Sequence, residues 1–145
     1  MKQNTKIQDC WIWNQTVEDF IKPFVKGYSL NVCAGKSSLG DVKIDLDPHD
    51  RTVIRGNMIA LPYPDNTFDS VIQDPPWKIG FYQRMKPFFE CVRVCKIGGN
   101  IVYNAYWIPT SKIVKLKGIW ARQDADWTNT SIISVFEKIT ATKDA

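Results

Sequence analysis

Apolar positions along this chain follow two alternating periods. Val17, Phe20, Ile21 and Phe24 recur at helical spacing after Thr16, and Asp19 stands where a carboxylate variant of a capping box would place it. Gly27 closes that segment, and Pro23, which lacks a backbone donor, is expected to kink it or mark its last regular turn. Short β-like runs follow at Leu30 to Cys33, Val42 to Asp45, Thr52 to Arg55 and Ser70 to Gln73. The helical period then returns. Phe81, Met85, Phe88, Val92 and Cys95 form an apolar stripe, with a local bend expected at Pro87 and a stop at Gly98-Gly99. Arg93 and Lys96 suit the carboxyl end of that helix. Asn100 to Trp107 predicts a strand, and Leu116 to Asp124 with Ser131 to Glu137 a final pair joined around Asp126 to Asn129. Strands alternating with helices give an α/β protein with a Rossmann-like, mostly parallel sheet that ends in an antiparallel strand.

The connections are short for such a sheet. Gly35 to Asp45, Asp45 to Thr52 and Met58 to Thr67 leave little room for crossover helices, so several are expected to be shortened or missing. A parallel sheet needs both faces covered. The expected cover is the N-terminal helix with Trp11 and Trp13, or another subunit in a homodimer or with a partner chain. At 145 residues the chain reads as one domain, 1–145, with no separate target-recognition domain.

Composition changes this picture little. A hydrophobic share of 44% and a charged share of 23% are ordinary for a globular protein. Six tryptophans suggest aromatic surfaces used for packing, stacking or assembly, and a net charge of +4 allows a polyanionic partner without requiring one. No apolar run reaches membrane-spanning length, and Met1 to Thr5 has no signal-peptide core, so a cytoplasmic protein with no membrane partner is expected. Cys10, Cys33, Cys91 and Cys95 contain no Cys-x-x-Cys pair and, with the lone His49, make a poor metal set. Reduced thiols and no metal are expected.

The chemistry gathers at Asp74-Pro75-Pro76-Trp77, directly after the run ending at Gln73. The two prolines cannot extend a sheet ladder, and the residue before a proline is held extended, which aims Asp74 outward. Trp77 offers a stacking face for a planar base. A Pro-Pro loop with a core tryptophan accounts for the same four residues taken alone. Ligands in open α/β sheets bind off the carboxyl ends of the strands, and three more loops end there. The loop Cys33-Ala34-Gly35-Lys36-Ser37-Ser38-Leu39-Gly40 has small residues that let a ligand approach the backbone. Asp45, with Asp47 as the alternative, presents a carboxylate suited to ribose hydroxyls, and Asn57 with Met58 stands where an adenine edge would be read.

Through Val32 to Gly35, Val42 to Asp45, Gly56 to Asp69 and Asp74 to Trp77, the chain resembles the class I S-adenosylmethionine-dependent methyltransferases. Within them, Asp74-Pro75-Pro76-Trp77 is similar to the catalytic tetrapeptide of amino-methyltransferases acting on adenine N6. The resemblance implies a Rossmann-like methyltransferase fold and S-adenosyl-L-methionine as cofactor. It implies that the Cys33-Ala34-Gly35 backbone packs on the methionine part, that Asp45 holds the ribose, and that Asn57 and Met58 flank the adenine. Asp74 and the Pro75 carbonyl would accept from the target amine, with Pro76 completing the rigid corner and Trp77 stacking on the ring. DNA or RNA is the implied substrate, with Lys78, Arg84, Lys86, Lys112, Lys115 and Lys117 as candidate contacts. A small molecule or a protein side-chain amide is the alternative substrate, and a non-catalytic partner subunit the alternative role. A nicotinamide-binding reading is weaker, because Gly35 to Gly40 does not match the glycine fingerprint of that class and the acidic residue comes too early.

Overall fold

A seven-stranded sheet forms the centre of the computed structural model, which describes residues 15–76, 79–122 and 131–142. Its strands are β1 (Ser29–Val32), β2 (Val42–Asp45), β3 (Ile54–Arg55), β4 (Phe68–Gln73), β5 (Cys95–Ala105), β6 (Val114–Ala121) and β7 (Ile132–Lys138). They lie in the order β3-β2-β1-β4-β5-β7-β6. The first five pair in parallel, and β7 runs antiparallel between β5 and β6. The order reverses between β1 and β4. That switch point opens a crevice at their carboxyl ends.

Among the described residues, two α-helices cover the sheet. The apolar stripe of α2 (Met85–Val94) buries Phe88, Cys91 and Val92 against Leu30, Val71, Ile101, Tyr103 and Phe136 on one face. On the other face, α1 (Gln15–Ile21) sets Val17 and Ile21 against Ile72, Val102, Ile133 and Val135. The 3-10 turn Lys22–Phe24 extends α1, and Phe20 and Phe24 meet Trp120 of β6 at 5.2 and 5.4 Å between ring centres. The N-terminal helix therefore covers part of the sheet, as the short connections required. Trp11 and Trp13 lie outside the described residues.

Several boundaries differ from the pattern, each for a local reason. Thr16 lies inside α1, and Asp19 bonds to Gln15 and Lys22 on the outer surface, so no capping box forms there. The stripe from Phe81 breaks into a 3-10 turn, Phe81–Gln83, and a helix that starts at Met85. Pro87 thus falls in the first turn of α2, where a missing N–H removes no intrahelical bond. That helix ends at Val94, since Cys95 is already extended with φ −77° and ψ 139°. Cys91 and Cys95 therefore occupy different elements. Gly98-Gly99 is not the helix stop. It lies where β5 departs from β4, between the pairs Phe68–Cys95 and Ser70–Asn100. Gly98 adopts φ +81°, and a Cβ on Gly99 would come within 2.7 Å of the Asp69 carbonyl.

No helix occupies the β1–β2, β2–β3 or β3–β4 connections among the described residues. The β1–β2 loop is held instead from upstream. Glu18 of α1 is buried and accepts from the Ser37 hydroxyl at 2.9 Å and the Ser38 hydroxyl at 3.0 Å. Near the far end of the sheet, the fully buried Lys138 donates to the Asn66 side chain and the Cys95 carbonyl, both at 2.9 Å.

Candidate active site

One cleft opens at the switch point. Cys33, Gly35, Asp45, Asn57, Met58, Asp74, Pro75 and Pro76 all line it. Four loops far apart in sequence thus reach one place because β1, β2 and β4 lie side by side and run the same way. Ala34 is not among the lining residues. It is buried, its N–H donates to the Ile44 carbonyl at 3.1 Å, and its carbonyl accepts from Ser37 at 2.9 Å. Trp77 and Lys78 lie outside the described residues.

The first loop turns sharply. Cys33 adopts φ +58° and Gly35 φ +52°. A non-glycine residue in that region costs about 1–2 kcal/mol, a strain that persists only where the surroundings impose it. Those surroundings are Asp45 and Met58. Asp45 Oδ2 accepts from the Gly35 N–H at 2.9 Å, and Oδ1 from the Asp47 N–H at 2.9 Å. The carboxylate thus ties the β1 loop to the tip of β2, and each oxygen keeps a second lone pair. The Cys33 thiol lies 3.6 Å from the Met58 sulfur, which also receives the Gln73 amide at 3.6 Å. Cys91 hydrogen-bonds Gln73 from behind. Met58 therefore contributes a thioether floor. Asn57 spends its side-chain oxygen on the Ile59 N–H at 3.1 Å, a local turn contact.

Burial keeps this floor uncharged. It pushes the Cys33 thiol far up, with the Asp45 and Asp74 carboxylates adding to the effect. Burial likewise raises the Cys91 thiol and the Tyr103 hydroxyl. None of the three is a nucleophile or a base near neutral pH.

Asp74 begins the loop after β4, and its N–H points to the Val32 carbonyl at 3.5 Å. Its Oδ1 accepts from the Asn104 amide at 3.0 Å, and Asn104 Oδ1 accepts from the Ser131 hydroxyl at 2.6 Å. Neither partner was singled out in the sequence. The available signal was a polar residue, Asn104, at the end of the otherwise apolar Ile101 to Ala105 run.

The basic candidates divide. Arg84 sits over the rings of Tyr106 and Trp107, 5.7 and 5.0 Å from their centres, where β5 ends. Lys115 pairs in register with Glu137, which faces Asn100, which in turn faces Ser70 at the amino end of β4. Lys112, Lys115 and Lys117 thus lie towards the opposite end of the strands from Asp74, and Lys117 is 3.8 Å from Glu137. The direction of β6 thus separates Lys112, Lys115 and Lys117, the candidates after the fifth strand, from those near the Asp74 loop.

Strand order, the switch-point cleft and the loop positions define the fold of the class I S-adenosylmethionine-dependent methyltransferases. Solved structures share it. The N-methyltransferase NodS from Bradyrhizobium japonicum WM9 superposes with a TM-score of 0.59 at 10% identity, covering 87% of this chain and 93% of that one. The [4+2]-cyclase SpnF superposes with a TM-score of 0.64 at 11% identity, over 87% and 81%. The fold thus serves more than one chemistry. In sequence, the demethylmenaquinone methyltransferase of Anoxybacillus flavithermus is 31% identical over 96 residues, 62% of this chain and 38% of that enzyme. The match therefore spans well under half the length of this curated relative. No protein-family model matches the chain.

Proposed function

We propose that this chain is an S-adenosylmethionine-dependent methyltransferase that methylates an amino group held at Asp74. The observation that carries the reading is the convergence of Asp45, Gly35 and Asp74-Pro75-Pro76 on one cleft at the switch point. The residues present fit the cofactor. Asp45 keeps lone pairs for ribose hydroxyls while its bonds to Gly35 and Asp47 hold the loop, and Gly35 allows close backbone approach. When bound, the cofactor supplies an electrophilic methyl group on sulfur.

An amine conjugated to a purine is a poor nucleophile, because its lone pair is shared with the ring. Asp74 and the Pro75 carbonyl act as acceptors that localise this lone pair and aim it. Catalysis is then by positioning and preorganised electrostatics, without a covalent enzyme intermediate. With the methyl group passing from the cofactor sulfur to the nitrogen, the surplus amine proton would leave to Asp74 or water. The neutral thiols of Cys33 and Cys91 take no part.

Adenine N6 in DNA or RNA is the acceptor that the Asp74-Pro75-Pro76-Trp77 motif favours. A small-molecule acceptor is the second reading. The name of the Anoxybacillus relative and the placement of Lys112, Lys115 and Lys117 away from the cleft both favour it. Labelled methyl transfer across DNA, RNA and small-molecule pools, followed by product digestion, separates the two. The expected result is a methylated amine whose formation is abolished by Asp74→Ala. Full activity in that variant overturns the assignment.

A further inference from the structure

Asp74 is held twice. Pro75 keeps its backbone extended, but an aspartate side chain still has two rotatable bonds. Asn104, 1% exposed, donates through Nδ2 to Asp74 Oδ1 at 3.0 Å. Ser131, fully buried and directly before β7, donates its hydroxyl to Asn104 Oδ1 at 2.6 Å. A flipped amide would turn its oxygen towards the carboxylate, so the pair of bonds fixes which end of Asn104 faces Asp74. Three elements meet here: the loop after β4, the end of β5 and the start of β7.

We infer that Asn104 is a positioning residue for methyl transfer, with Ser131 setting its orientation, so that Asp74 meets the acceptor amine as a fixed, ionised carboxylate. The inference rests on the reading of Asp74 given above. A hydrogen bond donated to a carboxylate favours its charged form and narrows its rotamers. Burial makes that bond stronger and its loss more costly. Among the described residues, Cys33, from the end of β1, and Tyr103, from β5, feel the Asp74 charge. Burial holds both protonated, so neither places a second charge beside Asp74. Asparagine in a strand interior is otherwise a poor fit, since its side chain must find partners when buried.

The test uses Asn104→Ala, Asn104→Asp and Ser131→Ala in the full chain. The titration of the Asp74 carboxyl carbon is followed by NMR in aspartate-labelled protein, and S-adenosylhomocysteine affinity is measured in parallel. The expected result is an upward shift of the Asp74 midpoint in Asn104→Ala, and a larger one in Asn104→Asp, where two carboxylates would face each other. Ser131→Ala shifts it in the same direction by less, and carries the test if the Asn104 variants do not fold. S-adenosylhomocysteine affinity should stay within about twofold, and kcat should fall at least about 10-fold with KM for S-adenosylmethionine unchanged. A folded Asn104→Ala with the parent midpoint and the parent kcat overturns the inference. If Asp74→Ala also keeps full activity, the catalytic reading of Asp74 fails instead. The NMR midpoint still judges the Asn104 contact by itself.

Discussion

Asp45 and Asp74 both line the cleft, yet their hydrogen bonds differ in kind. Asp45 accepts from two backbone N–H groups within the loops it joins, whereas Asp74 accepts from a side chain on the neighbouring strand. The first arrangement ties the loops of the pocket together, and the second is the one proposed to aim a reactive group. Elsewhere the same chemistry serves stability alone. Glu90 bonds Arg93 at 2.7 Å and the Leu61 N–H at 2.7 Å, and the guanidinium holds its carboxyl below the usual 4.5. A depressed folded-state value means stability that is complete above pH 4.5 and lost as pH falls through the folded value. Glu90→Gln should therefore cost about 1–2 kcal/mol near neutral pH, with the gap to the parent narrowing in thermal melts as pH falls below 4.5. A gap that does not narrow between neutral and acidic pH would count against the pairing. Asp45 and Asp74 were legible in the sequence because each ends a β-like run. Asn104 and Ser131 were not, because their partners lie 30 and 27 residues away and only the strand order brings them together.

At the scale of elements, α2 is the main cover of one sheet face. Phe88 is fully buried at its centre, with ring centres 5.5 Å from Tyr103 and 5.1 Å from Phe136. Phe88→Ala should cost about 3–5 kcal/mol in urea unfolding, and a loss under about 1 kcal/mol would show the face to be loosely packed. The stripe that predicts α2 was readable from Phe88 and Val92, whereas its ends were not. Gly98-Gly99 signals a stop by composition, but the chain turns extended at Cys95 because Phe68 of β4 is already waiting to pair with it. The missing crossover helices were legible from connection lengths alone. Their replacement was not: Glu18 reaches the β1–β2 loop from α1, a contact that no local pattern encodes.

For the whole molecule, alternation of periods was enough to give the sheet class, because parallel strands joined in this order have few right-handed solutions. The direction of the last strands was harder to use. β6 runs parallel to β5 with β7 between them, which carries Lys112, Lys115 and Lys117 to the end away from the cleft. No described helix is long and apolar enough to cross a membrane. What unites fold and site is the claim that the switch-point cleft is a cofactor site built on Asp45. Calorimetric titration with S-adenosylhomocysteine tests it most directly, comparing the parent with Asp45→Asn, which keeps one oxygen for the Gly35 N–H. The account predicts saturable one-to-one binding by the parent and affinity weaker by about 10-fold or more in the variant. No binding by the parent, or equal affinity in Asp45→Asn, would contradict it.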